Sequence, residues 1–317
     1  MCIRDRGFTA NNDVWDVFHA RVMEEKSDGR FYGINTVNKI VREMIYRKQL
    51  SDAQNDRDNS IIRKEDILSL SQSYSNNSVN GMDLLDDMIG MEQIKHSVEE
   101  IIAHIKFSRR IPNISYPCIH MRFVGSPGTG KTTVARIIGK ILKENGVLRN
   151  GNFFEYSGRD FCGRYVGETA PKTAEMCRDA YGSVLFIDEA YSLYRNENNT
   201  NDFGQEALDT LISEMENHRD DFVVIMAGYT DEMNELMKGN NGLASRMPYV
   251  IEFPNYTREQ LCQIYFKMLG NSFEYDEDFQ SAVTEYFNSI SDETLSAKDF
   301  SNARFVRNLF ERTCAKA

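Results

Sequence analysis

Eight consecutive residues constrain this chain more than any others: Gly125, Ser126, Pro127, Gly128, Thr129, Gly130, Lys131 and Thr132 fill the pattern G-x-x-x-x-G-K-[ST] without a gap. They stand between an apolar β-type run, residues 121–124, and an amphipathic stretch, residues 132–142, with Val134, Ile137, Ile138 and Ile141 on one face. A strand that turns through glycines into a helix lets the backbone fold around phosphate oxygens, and the helix N-terminus adds its amides and dipole. The pattern assigns Lys131 to the β- and γ-phosphates of a nucleotide and the Thr132 hydroxyl to Mg2+. Thr133, the next residue, is counted with the loop as nucleotide-binding. The bland alternative is a glycine-rich turn that binds nothing, which makes the full match in this setting a coincidence.

Further along, Val184-Leu-Phe-Ile-Asp-Glu189 ends four apolar residues in two carboxylates. Such a run predicts a buried parallel strand whose carboxyl end lies beside the phosphate loop. Asp188 can hold Mg2+ there through its water shell, while Glu189 orients and activates an attacking water. That pairing suits hydrolysis rather than phosphoryl transfer to a second substrate. GTPases are disfavoured, because no N-K-x-D for guanine is present.

The 317 residues suggest about two domains. β-type runs at 121–124, 153–156, 184–187, 223–227 and 249–253 alternate with helical stretches at 132–142, 170–180 and 205–216. This predicts an α/β domain over residues 83–254, a parallel sheet with helices on both faces. After Pro254 the strands stop, and helical patterns at 258–269, 279–289 and 302–312 predict a small all-helical domain over 255–317. Upstream, residues 69–82 form a Ser/Asn-rich linker without periodicity. Residues 1–68 read as a helical segment, with Val14, Phe18 and Val22, then Val37, Ile40, Val41, Met44 and Ile45, at helical spacing. Residues 1–6 look like translated adapter sequence and stay outside the fold argument.

Net charge is −11 (37 Lys+Arg against 48 Asp+Glu), which argues against holding nucleic acid by phosphate neutralisation. No charge-free stretch is long and apolar enough to span a bilayer. The six cysteines are scattered without a C-x-x-C, which suits neither zinc nor a disulfide framework and predicts a reducing, cytoplasmic setting. His96 and His104 could share a helix face, and they read as ordinary helix residues rather than metal ligands.

Taken together, the chain resembles the AAA+ ATPases, specifically the group containing stage V sporulation protein K and the red-type rubisco activase CbbX. The resemblance rests on residues 125–132, on Gly163-Arg-Tyr-Val-Gly-Glu-Thr-Ala-Pro-Lys-Thr173, on residues 184–193 (V-L-F-I-D-E-A-Y-S-L), on residues 222–230 and on Asn302-Ala-Arg-Phe-Val-Arg-Asn308. It implies a P-loop NTPase sheet sandwiched by helices and followed by a helical lid, with ATP and Mg2+ as cofactors. Ile89 and Gly90 then stand near the adenine. Thr230 falls where the family has its polar sensor-1 residue, usually Asn, a departure that weakens the assignment. Arg246, in Gly242-Leu-Ala-Ser-Arg246, resembles the arginine finger that enters a neighbouring subunit's site. Arg304 resembles sensor 2, reaching from the lid to the phosphates, with Arg307 on the neighbouring face as the weaker candidate. Tyr165-Val166-Gly167 matches the aromatic–hydrophobic–glycine pore loop of peptide-threading rings, although a tyrosine buried at a helix start has the same local sequence.

Residues 31–44 parallel 300–310 in their polar opening and apolar spacing, so the N-terminal segment resembles the lid of a preceding AAA+ module, an unrelated helical domain being the alternative. Both ends read as cut, as in a fragment of a tandem protein. The resemblance implies an ATP hydrolase acting on a protein partner as an oligomer, usually a hexameric ring. The contrasting hypothesis is an ATP-gated scaffold with little hydrolysis. A DNA-directed motor is disfavoured by the charge and by the aromatic loop.

Overall fold

The computed structural model of the chain describes residues 80–315 except 109–110, 112–116, 150, 195–202, 271–272, 274 and 299, and before them only residues 9–10, 14–15, 18–19, 37, 41, 44–45, 48 and 61–62. Two compact units divide it, Met1–Asn80 and Gly81–Ala317. In the first unit, residues 14, 15, 18, 19, 37, 41, 44, 45 and 48 are helical, as the periodicity predicts. Thr9–Ala10 pairs in parallel with Ile61–Ile62, however, where the sequence reading has helix alone. Two adjacent β-branched residues favour extended backbone there. The stretches that carry the parallel with 300–310 and the linker lie largely outside the described residues.

The second unit opens with α1 (Gly81–Asp86) and α2 (Glu92–Ser108). An alternating series follows: β1 (Met121–Gly125), α3 (Lys131–Glu144), β2 (Phe153–Ser157), α4 (Thr169–Asp179), β3 (Val184–Asp188), α5 (Phe203–Asn217) and β4 (Val223–Gly228). Two helices, α6 (Thr230–Gly239) and α7 (Asn241–Arg246), lead into β5 (Tyr249–Phe253). The chain closes with four helices: α8 (Arg258–Leu269), α9 (Glu277–Asn288), α10 (Asp292–Ser296) and α11 (Ala303–Cys314). The five strands form one parallel sheet in the order β2-β3-β4-β1-β5.

Strict alternation sorts each strand's side chains between two faces. Phe123, Val184, Phe186, Val223, Ile225 and Ala227 pack on one side with Ile138 and Ile141 of α3 and Ile101 and Ile105 of α2. Val124, Leu185, Ile187, Val224 and Met226 pack on the other with Leu208 and Leu211 of α5 and Leu236 of α6. Every residue of β4 is buried, because a central parallel strand is covered by helices on both faces and has no solvent side. The first core continues into the lid through Tyr256, Leu261, Tyr265, Phe287 and Val306. Thr257 and Gln260 close a reciprocal capping box that starts α8 immediately after the sheet ends.

Candidate functional site

The carboxyl ends of β1, β3 and β4 meet the start of α11 around a cavity of about 350 Å³. Gly125, Pro127, Gly128, Gly130, Lys131, Thr132 and Thr133 belong to its lining. Two of the glycines are required by neighbouring backbone. A Cβ on Gly125 (φ 149) would meet the Phe253 carbonyl oxygen at 2.3 Å, and one on Gly128 (φ 72) would meet the Ser301 carbonyl oxygen at 2.0 Å. Within the loop, the Thr129 hydroxyl donates to the Ser126 carbonyl at 2.9 Å. Lys131 Nζ donates to the carbonyls of Gly125 at 2.8 Å and Ser126 at 2.6 Å. Burial pushes this ammonium down to about 8, with Asp188 pulling it back up and Arg304 adding to the depression.

Asp188 and Glu189 line the same cavity, with Tyr191, Gly228 and Tyr229. Asp188 Oδ1 accepts from the Glu189 amide at 3.0 Å. Glu189 sits in the left-handed region (φ 48, ψ 42), where the chain leaves β3 for a short 3-10 turn, Ala190–Leu193. A non-glycine residue held there costs about 1–3 kcal/mol, a strain typical of functional sites. The tyrosine rings lie 6.0 Å apart, and burial, followed by the Glu189 charge, pushes the Tyr191 hydroxyl up to about 12. Sequence reasoning missed both tyrosines, since neither belongs to a motif with an assigned role.

Arg304 and Arg307 complete the lining from α11. Both face the same cavity, which corrects the expectation of neighbouring faces: three residues apart on a helix is nearly one turn. Among the described residues neither guanidinium has an ion pair or side-chain hydrogen bond, although carboxylates bound the same space. The Ala303 amide donates to the Gly128 carbonyl at 3.1 Å, so the lid touches the phosphate loop directly. Thr132 and Asp188 bring a hydroxyl and a carboxylate to one cavity, hard oxygen donors that fit Mg2+ with water and phosphate completing its shell.

The other predicted residues lie outside this lining. Thr230 is the exposed first residue of α6, one position beyond Tyr229. Ile89 and Gly90 sit in the turn between α1 and α2, where Gly90 faces the Gln260 side chain of α8. Their neighbours Met88 and Met91 approach Gly130. Arg246, at the end of α7, pairs with Glu216 Oε2 at 3.0 Å and donates to the Gly242 carbonyl at 3.0 Å. Tyr165 and Val166 are 71% and 76% exposed, which removes the buried-tyrosine reading. The Glu168 carboxylate accepts from the Arg164 amide at 3.0 Å and the Tyr165 amide at 3.2 Å, while Gly167 has nothing within 4 Å of its Cβ position.

The "ATPase family associated with various cellular activities (AAA)" matches residues 121–255, and the AAA lid domain matches residues 257–317. Over 231 residues the chain is 40% identical to stage V sporulation protein K of Bacillus subtilis, covering 71% of each. The chain belongs to the AAA+ ATPases. Within that family it falls in the stage V sporulation protein K and CfxQ/CbbX group. Protein CfxQ of Xanthobacter flavus is 40% identical over 235 residues, 73% of each chain. The chloroplastic ribulose bisphosphate carboxylase/oxygenase activase of Cyanidioschyzon merolae is 40% identical over 236 residues, 73% of this chain and 78% of the relative. A chain of the Escherichia coli MS115-1 HORMA:CdnC:Trip13 complex matches with a TM-score of 0.52 and 14% identity over 76% of this AAA+ chain and 86% of its own, a likeness of fold. Among the described residues no helix is long and apolar enough to cross a membrane, and no group of three or more His, Cys, Asp or Glu could hold a metal ion.

Proposed function

We propose that this AAA+ protein hydrolyses Mg-ATP to remodel a protein partner, working as an oligomeric ring. The observation that carries the reading is the cavity's polarity: Lys131, Arg304 and Arg307 share one lining with Asp188 and Glu189 in a space bounded by the phosphate loop. Two of these cations, Arg304 and Arg307, have no ion pair or side-chain hydrogen bond among the described residues and suit the phosphates, as does the Lys131 ammonium. The carboxylates suit Mg2+ and a water nucleophile. Thr132 and Asp188 would hold Mg2+, which would supply charge neutralisation for the phosphates. Glu189 then takes the proton of the attacking water, and Arg304 screens the γ-phosphate from the lid. Ile89, Gly90 and Thr133 are assigned to nucleotide contact, and Thr230 to sensing the γ-phosphate beside Tyr229.

Arg246 supports the ring reading. It does not line its own chain's cavity, and its Glu216 partner is itself half-exposed, so a neighbouring subunit can compete for the guanidinium. The exposed Tyr165-Val166-Gly167 loop supplies a flat aromatic grip for diverse polypeptides. A red algal relative is named for activating ribulose bisphosphate carboxylase/oxygenase, and a protein assembly is the corresponding class of partner here. The test is the Mg-dependent ATPase rate against protein concentration, with Lys131→Ala and Glu189→Gln as controls. Specific activity rising with concentration and lost in both variants supports the reading. Nucleotide binding without turnover at any concentration replaces it with the scaffold.

A further inference from the structure

We infer that Asn302 is a positioning residue that latches the lid to the phosphate loop and thereby sets where Arg304 stands. The inference rests on the nucleotide reading of the cavity. Asn302 is 0% exposed, and its carboxamide joins three segments of chain. Nδ2 donates to the carbonyl of Pro127 in the phosphate loop at 3.2 Å, to Oδ1 of Asn255 in the segment after β5 at 3.0 Å, and to the Phe300 carbonyl at 3.1 Å. Oδ1 accepts from the Tyr256 amide at 3.0 Å. Two N–H bonds thus serve three acceptors, one of them shared, and the amide is satisfied at both ends. Tyr256 adds a second tie, its hydroxyl donating to the Thr129 carbonyl at 3.2 Å.

The backbone of Asn302 points the same way. Its φ of 46 and ψ of −119 are unusual for a residue with a side chain, and they turn the chain into α11 with Ala303 against Gly128 and Arg304 one residue later. A strained, fully buried residue persists only where its surroundings over-determine it. Here those surroundings are the carboxamide's own four hydrogen bonds. Asp in its place would set a second acceptor against three acceptor oxygens. Gly would accept the backbone angles and lose every tie.

The experiment is a double-mutant cycle on the full chain: wild type, Asn302→Gly, Arg304→Ala and the double variant, read in ATP turnover and in fluorescent-ATP affinity. Asn302→Gly is expected to lower turnover about ten-fold, the loss that follows when a catalytic group is displaced by a fraction of an ångström or more. In the Arg304→Ala background the same change is expected to cost less than two-fold. Losses that multiply in the double variant, or an Asn302→Gly variant within two-fold of wild type, would overturn the inference. A purely structural residue would lower the melting temperature and leave the two kinetic losses independent. If Asn302→Gly does not fold, Asn302→Asp, which keeps the shape, takes its place in the cycle. Wild-type chain that binds ATP without turning it over sinks the hydrolysis reading alone, and the affinity cycle still decides the role of Asn302. Wild-type chain that binds no nucleotide sinks both.

Discussion

Gly128→Ala is the sharpest perturbation of the contact between the phosphate loop and the lid. The new methyl would lie 2.0 Å from the Ser301 carbonyl oxygen and 3.2 Å from the Arg304 amide nitrogen, and real Cβ atoms essentially never approach within 3.0 Å. Its neighbours are backbone and have no rotamer to change, so the turn at Ser301 that leads from α10 into α11 must retreat by roughly an ångström. Two hydrogen bonds span that gap: Ala303 N to Gly128 O at 3.1 Å and Asn302 Nδ2 to Pro127 O at 3.2 Å. At about 0.5–1.5 kcal/mol each, their loss disfavours the closed lid by about 2 kcal/mol, or about thirty-fold. The left-handed φ of 72 adds a penalty of about 1 kcal/mol against the whole folded domain. ATP turnover should therefore fall by more than ten-fold, with a smaller fall in melting temperature, measured by phosphate release and thermal unfolding on the same preparations. A variant that hydrolyses ATP within two-fold of wild type and melts with it would refute the reasoning, because the methyl would then have found room that the geometry denies it.

Replacing Glu189 by Gln should cut turnover by at least about a hundred-fold while ATP affinity stays within a few-fold, as phosphate release and fluorescent-nucleotide titration would show. Arg246→Ala, with an intact cavity but no finger, and Glu189→Gln, with a finger but no base, should each be inactive alone. Mixed together they should regain measurable ATPase, whereas no recovery on mixing would count against a finger acting between subunits. Burial lowers His120 to about 4, and its ring is held neutral, Nδ1 accepting from the Val224 amide and Nε2 donating to the Met215 carbonyl. Because the folded value lies below the unfolded one near 6.5, this contribution is complete above pH 6.5 and is lost as pH falls toward 4, about 3 kcal/mol in all. Urea titrations across that window should show a falling stability that His120→Gln flattens; equal slopes for the two proteins would argue against it.

The phosphate loop and the Asp188–Glu189 strand end were legible because each is local: a contiguous pattern at a strand–helix or strand–loop junction. The five strands were legible because parallel strands buried on both faces are continuous apolar runs. Helices α6 and α7 were not, because their buried positions (Met233, Leu236, Met237 and Leu243) sit in short, polar segments too brief to show a period. Tyr191, Tyr229 and Asn302 escaped for another reason. Their roles come from partners far along the chain, as when Asn302 bonds Pro127 across 175 residues, and no local spacing records that. The shared facing of Arg304 and Arg307 was written in their i, i+3 spacing and needed only the position of the helix over the cavity.

The apolar core that begins under β1 and ends in the lid has a consequence for how such proteins can be cut and recombined. Met121 and Phe123 of the sheet belong to the same contiguous cluster as Tyr256, Tyr265, Phe287 and Val306, so the seam between the two family segments, at residues 255–257, divides the sequence and not the packing. A chain ended there would leave one side of that cluster open to water, and calorimetry on the intact second unit should show a single transition rather than two. A chimera that borrows a relative's lid therefore has its natural junction upstream of β5, where Phe253, Asn255 and Tyr256 travel with the helices they hold.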